Sequence, residues 1–132
     1  MLFPKMSEQD INRMSVLALA QVGDAVYELM ARTALCLSQP TAKKLHKARV
    51  EMVNAAAQSR AAQTLMPLLT DAEMSVFRRG RNADAGNIPS AATRGEYMAA
   101  TGLEALWGYL YLSGQTGRLS ELFEAVTHEK DG

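Results

Sequence analysis

The sequence holds a single cysteine, Cys36, so no internal disulfide can form. The opening MLFPKMSEQD has no export-signal layout, and together these features fit a reducing cytoplasm. No Cys/His cluster is present, which excludes a structural zinc site. No apolar run reaches the ~18 residues of a membrane span, so no membrane partner is expected. Net charge is missing as well: 14 basic and 14 acidic residues cancel. That argues against a globally basic nucleic-acid binder and leaves room for local patches. The alternating Val, Ile, Thr and Tyr runs of strands are also absent, as are internal repeats and low-complexity tracts.

What fills the 132 residues is alanine, leucine and methionine, all good helix formers. Apolar spacing and caps predict an all-α single domain over 1–132 with about five main helices, 1–14 and 129–132 being loosely ordered. The first runs from about Ser15 to Cys36. The second follows the cap Thr41 and continues unbroken toward Met66, where Pro67 stops it. The third opens on a capping box, Thr70 with Glu73, and reaches about Asn82. A loop over 83–90, with Gly86, Asn87 and Pro89, leads to the fourth, about Thr93 to Ser113. Gly114 and Gly117 punctuate its end, and the fifth runs from Arg118 to about His128. The alanine runs at 55–57 and 61–62 suit close helix packing in a core or a dimer interface.

Candidate chemistry sits on two of these helices. In GDAVYELMAR, residues 23–32, Asp24 interrupts an apolar stripe, with Glu28 and Arg32 following at one-turn intervals on the same face. Burying a lone carboxylate is costly, so Asp24 should face a partner, a metal or water. The plainer alternative is a solvated stripe with Glu28 paired to Arg32. In TGLEALWGYLYL, residues 101–112, Glu104 is the only charge between Glu96 and Arg118. Gly102 and Gly108 flank it, each costing about 1 kcal/mol inside a helix, which points to close approach of another backbone. The alternative for Glu104 is a salt bridge at a packing seam. Packed face to face, the two helices would bring Asp24 and Glu104 together, and paired carboxylates without His or Cys suit a hard cation such as Mg²⁺.

Positive charge is concentrated in two places. Lys43, Lys44, His46, Lys47 and Arg49 form one run with no acidic residue among them, and Arg78, Arg79 and Arg81, followed by Asn82, form the other. Arrays of this kind meet phosphate backbones. The alternatives are a solvated helix face for the lysines, and structural pairing of Arg79 or Arg81 with Asp84, Glu121 or Glu124.

The ordered motifs GDAVYE at 23–28, FRRGRNA at 77–83 and TGLEALWGYLYL at 101–112 resemble Mini-ribonuclease III, the short bacterial branch of the ribonuclease III family without a separate double-stranded-RNA-binding domain. The likeness spans about Ser15 to Val126. It implies a ribonuclease III endonuclease-domain fold and a homodimer that holds duplex RNA in a valley. It also implies Mg²⁺-dependent phosphodiester hydrolysis, with Mn²⁺ as a substitute, leaving 5′-phosphate ends. The implied role is maturation of the 23S ribosomal RNA precursor in the cytoplasm, with a ribosomal protein as a further partner. Asp24 and Glu104 are then the catalytic, metal-binding carboxylates, with Glu28 as an additional metal candidate. Lys43, Lys44, His46, Lys47, Arg78, Arg79, Arg81 and Asn82 are the RNA-binding residues. The longer enzymes carry further carboxylates at the positions of Leu17, Ala20 and Thr101, a set that the short branch reduces. That departure sustains a rival reading, a non-catalytic ribonuclease III-like domain that binds RNA or the ribosome. A third reading is a helical adaptor that only dimerises.

Overall fold

Hydroxyl or amide caps start six of the seven helices found among the described residues, which are 5–83 and 92–131 of a computed structural model (backbone only for 128–131). Ser7 caps α1 (Glu8–Arg13), Ser15 caps α2 (Val16–Leu35) and Thr41 caps α3 (Ala42–Val53). Asn54 caps α4 (Ala55–Leu65), which ends in a short 3-10 turn over Met66–Leu68. Thr70 caps α5 (Asp71–Arg81) and Thr93 caps α6 (Arg94–Leu112); α7 follows over Thr116–Asp131. Each cap satisfies a backbone N–H that the helix leaves without a partner. The described residues contain no strand, as the all-α expectation requires.

The long second helix is not continuous. Asn54 turns to an extended conformation, with φ −66° and ψ 164°, and its Oδ1 accepts the Ala57 N–H at 2.8 Å. Its own N–H closes α3 on the Val50 carbonyl. One residue thus ends one helix and caps the next, making a corner without a loop. Inside the segment expected to be loosely ordered, residues 8–13 form α1, which Ile11 anchors by burial. Two hydrogen bonds hold the same end: the Met6 N–H donates to the Leu112 carbonyl at 2.9 Å, and the Tyr109 hydroxyl donates to Glu8 at 2.9 Å. At the other end α7 begins earlier than expected and runs on to Asp131, so Gly117 lies inside it. Gly114 alone makes the turn before α7. At φ +76° it lets the Gln115 N–H reach back to the Leu110 carbonyl, a left-handed cap that other residues adopt at a cost. The 84–90 part of the expected loop lies outside the described residues.

Helix α6 is the central element, packed on α2, α4, α5 and α7. Its Leu103, Leu106, Trp107 and Leu110 are wholly buried, as befits a helix apolar on nearly all sides. Trp107 stacks on Tyr27 of α2, ring centroids 5.4 Å apart, and Tyr111 packs at the edge of the same core. The alanines at 57, 61 and 62 are buried there too, on α4. Two crossings on α6 come down to backbone against backbone. A Cβ on Gly23 would stand 1.6 Å from the Glu104 carbonyl oxygen, and one on Gly108 would stand 2.1 Å from that of Leu19. On the other flank a Cβ on Gly102 would meet the Phe77 carbonyl of α5 at 2.7 Å. The glycines beside Glu104 therefore answer to close helix approach on two sides.

The α5 capping box forms as expected, and its Glu73 does a second job. Buried within the fold, it takes Arg118 of α7 in two hydrogen bonds of 2.9 Å. Burial alone would raise its pKa, but the Arg118 and Thr70 bonds outweigh that and hold the carboxyl below the usual range. Arg118 also pairs with Glu121.

Candidate active site

The α2–α6 crossing decides where the two lone carboxylates stand. Gly23 sits against the Glu104 backbone, so its neighbour Asp24 is carried to the same level of α6. Asp24 and Glu104 line one hollow of about 220 Å³, Asp24 exposed and Glu104 half-buried. Their interaction is direct enough to change Glu104, whose pKa is pushed up to about 8. Burial is the main cause, followed by hydrogen bonding to Asp24 and by the charge of Asp24, with a smaller push from Glu28. Two like charges held in a partly dry site disfavour double ionisation.

Gln58 opposes that push through its hydrogen bonding to Glu104. It stands on α4, only 3% exposed, with Nε2 donating to the Val53 carbonyl at 2.9 Å and Oε1 buried without a partner. Sequence reasoning missed this residue. Its position depends on the Asn54 corner, and the available signal was a good capping residue just before the alanine run.

Leu17, Ala20 and Thr101, where the family resemblance implied further carboxylates in longer enzymes, line the same hollow along with Gln21 and Tyr97. None supplies an acidic oxygen, and the Thr101 hydroxyl is spent on the Tyr97 carbonyl at 3.0 Å. Glu28 is engaged by two arginines. Its Oε1 accepts from Arg49 at 2.7 Å, and Arg32 Nε lies 3.4 Å from its Oε2, too poorly aligned to satisfy that buried oxygen. Among the described residues no three acidic, His or Cys side chains gather at metal-binding spacing. Glu28 here belongs to an ion cluster that joins α2 to α3. Its Arg32 half was readable from i,i+4 spacing. The Arg49 half, 21 residues away, was not.

The basic residues divide by setting. Lys43, Lys44, His46 and Lys47 lie on α3, all four exposed. Arg78, Arg79 and Asn82 are exposed at the end of α5, along a broad hollow of about 630 Å³. Arg81 is half-buried, its guanidinium 5.8 Å from the Phe77 ring centroid and its Nε 3.4 Å from the Asn82 Oδ1. That is a local anchorage, and its alternative partner Asp84 lies outside the described residues. No described helix is long and apolar enough to cross a membrane.

Known proteins resemble this chain in both sequence and overall fold. The family model of the Ribonuclease III domain matches residues 17–115. A Mini-ribonuclease 3 from Symbiobacterium thermophilum is 46% identical over 83% of this chain and 85% of its own length. Another, from Clostridium tetani, is 38% identical over 91% of this chain and 81% of its own. A crystal structure of a Fusobacterium nucleatum protein superposes with a TM-score of 0.83 at 29% identity, over 92% of this chain and 98% of that one.

Proposed function

Because the chain belongs to the Mini-ribonuclease III branch of the ribonuclease III family, and is a ribonuclease III-type endoribonuclease, we propose that it hydrolyses double-stranded RNA with Mg²⁺ as cofactor, Asp24 and Glu104 being the residues that hold the ion. The observation that carries this is the convergence of the two carboxyls in one hollow, with Glu104 pushed up to about 8. A divalent cation between them would relieve that repulsion, and both groups offer the hard oxygens that Mg²⁺ prefers. Two protein carboxylates suffice for an ion that usually keeps several waters and takes phosphate oxygens from its substrate. When bound, the ion supplies an activated water and charge stabilisation at the scissile phosphate.

The chain's own residues do the rest. Asp24 stands at the open side, where substrate arrives. Gln58 steadies Glu104 from the closed side through an amide already tied to the Val53 carbonyl. The water oxygen replaces the ribose 3′-oxygen on phosphorus, leaving a 5′-phosphate and a 3′-hydroxyl. The intended substrate is a duplex in the 23S ribosomal RNA precursor, processed by a homodimer that sets two such sites on the two strands. Purified protein incubated with long double-stranded RNA should cut it with Mg²⁺, stop on addition of EDTA and resume with Mg²⁺ or Mn²⁺. Binding without cutting under every metal would return the non-catalytic reading.

The α5 arginines and the α3 lysines are the proposed grip on the RNA backbone, since A-form duplexes are read mostly through shape and phosphates. Arg78, Arg79 and Arg81 changed together to alanine should weaken binding of all duplexes alike. The salt dependence should flatten by roughly one unit of slope for each phosphate released from an arginine. Arg78 and Arg79 are exposed, so the melting temperature should hold, with at most a small decrease from taking Arg81 off the Phe77 ring. An unchanged salt slope in the triple variant would remove the cluster from the RNA surface.

A further inference from the structure

We propose that Arg32, His46 and Arg49 form a built site for one phosphate of the RNA backbone, separate from the carboxylate pair and next to it along α2. The proposal rests on the duplex-RNA reading above. The three side chains line a hollow of about 170 Å³ between α2 and α3, floored by Ala42 and Leu45. Glu28 organises it. One carboxylate engages two guanidinium groups, 2.7 Å from Arg49 and 3.4 Å from Arg32, so the cluster keeps one uncompensated positive charge. Arg49 is held on its second side as well, its NH2 lying 3.1 Å from the His46 Nδ1. With Nδ1 accepting, a neutral His46 carries its proton on Nε2, which leaves that N–H for a ligand. The terminal nitrogens of Arg32 likewise have no acceptor among the described residues.

The lysines on the same helix differ in kind. Lys43, Lys44 and Lys47 are point charges on flexible stems. Arg49, by contrast, has only 15% of its side chain exposed and is fixed before any ligand arrives. Guanidinium groups held in this way suit the paired oxygens of a phosphate. Glu28 and Arg32 follow Asp24 by one and two helical turns, about 6 and 12 Å along α2. That spacing fits a neighbouring phosphate on the strand being cut, not the scissile one. Asp24, Glu28 and Arg32 recur at four-residue intervals along one face of α2, which sets the two sites side by side.

The test uses Asp24→Asn protein as the parent, so that duplex RNA is bound and not consumed. Affinity for a short blunt RNA duplex is measured across a range of KCl. Arg32→Gln and His46→Gln, singly and together, should weaken binding several-fold and flatten the salt slope, by roughly one unit for the single phosphate no longer held. Arg32 is 58% exposed, so its replacement should leave the melting temperature unchanged, which a merely structural arginine would not. Arg49→Lys is the companion variant: it keeps the charge and removes the fork, and should bind less well than the parent. Inorganic phosphate supplies the second arm and should raise the melting temperature of the parent more than that of the double variant. An unchanged RNA slope in the double variant overturns the site, and a response to free phosphate alone overturns its assignment to RNA. A parent with no salt-dependent RNA binding overturns the duplex-RNA reading itself.

Discussion

Asp24→Asn and Glu104→Gln are each expected to lower the rate of duplex RNA cleavage by about 10³-fold or more, with helix content unchanged. The geometry behind this is a pair of carboxyls with no third acidic group, among the described residues, to compensate for either. The two variants should separate in a second measurement. Glu104 has a pKa pushed from 4.5 up to about 8 by burial and by Asp24, so the folded chain binds that proton more tightly than the unfolded one. Metal-free stability therefore falls as pH rises from the ordinary glutamate range through about 8. A glutamine at 104 carries no charge to desolvate. In EDTA at pH above 8, Glu104→Gln should melt higher than the natural protein, by about 3 °C or more. Near pH 4 the difference should vanish, and Mg²⁺ should narrow it by stabilising only the natural protein. A Glu104→Gln protein that cuts at near the natural rate would take the residue out of the site. Matching melting curves in alkaline EDTA would show that the carboxyl is not strained.

Gly23→Ala and Gly108→Ala should have the largest effects on stability. A methyl group at Gly23 would overlap the Glu104 carbonyl at 1.6 Å, and at Gly108 that of Leu19 at 2.1 Å. Backbone cannot swing aside as a side chain can, so α2 and α6 would have to separate along the most extensive helix pairing in the fold. Core overpacking ordinarily costs about 1–3 kcal/mol. A displaced helix pair should exceed that, and a domain of this size has only about 5–15 kcal/mol to lose. Insoluble protein, or a melting temperature lowered by at least ~10 °C, is the expected result. Gly95 and Gly117 give the contrast, since neither has anything within 4 Å of where a Cβ would go. Alanine there should be neutral or stabilising by up to about 1 kcal/mol. A Gly23→Ala protein melting like the natural one would mean that the helices cross farther apart.

The sequence made most of this legible where one signal dominated. Ser15, Thr41 and Thr70 all cap helices as expected, because hydroxyls ahead of apolar periodicity have few other uses. The glycines around Asp24 and Glu104 announced a close crossing, and so the convergence of the pair. Asn54 escaped notice because helical periodicity continues on both sides of it, so a capping residue passed for a helix-interior one. Helix α1 escaped because six residues are too few to show a period. Gln58 and Arg49 depend on how α3 and α4 fold back at that corner, and no local pattern encodes a partner 21 or 46 positions away.

The crossing at Gly23 and Gly108 also bears on how such a protein can drift. Every amino acid except glycine brings a Cβ, so at these two positions there is no small first step. A single-base change to alanine or serine meets the same carbonyl oxygen as a change to something larger. Relief would require a second, simultaneous change in backbone placement on the facing helix, where no side chain can be trimmed to make room. Asp24 is joined to one of these positions by a peptide bond. Lineages that lose the reaction should therefore be able to discard the aspartate long before they can discard the glycine beside it.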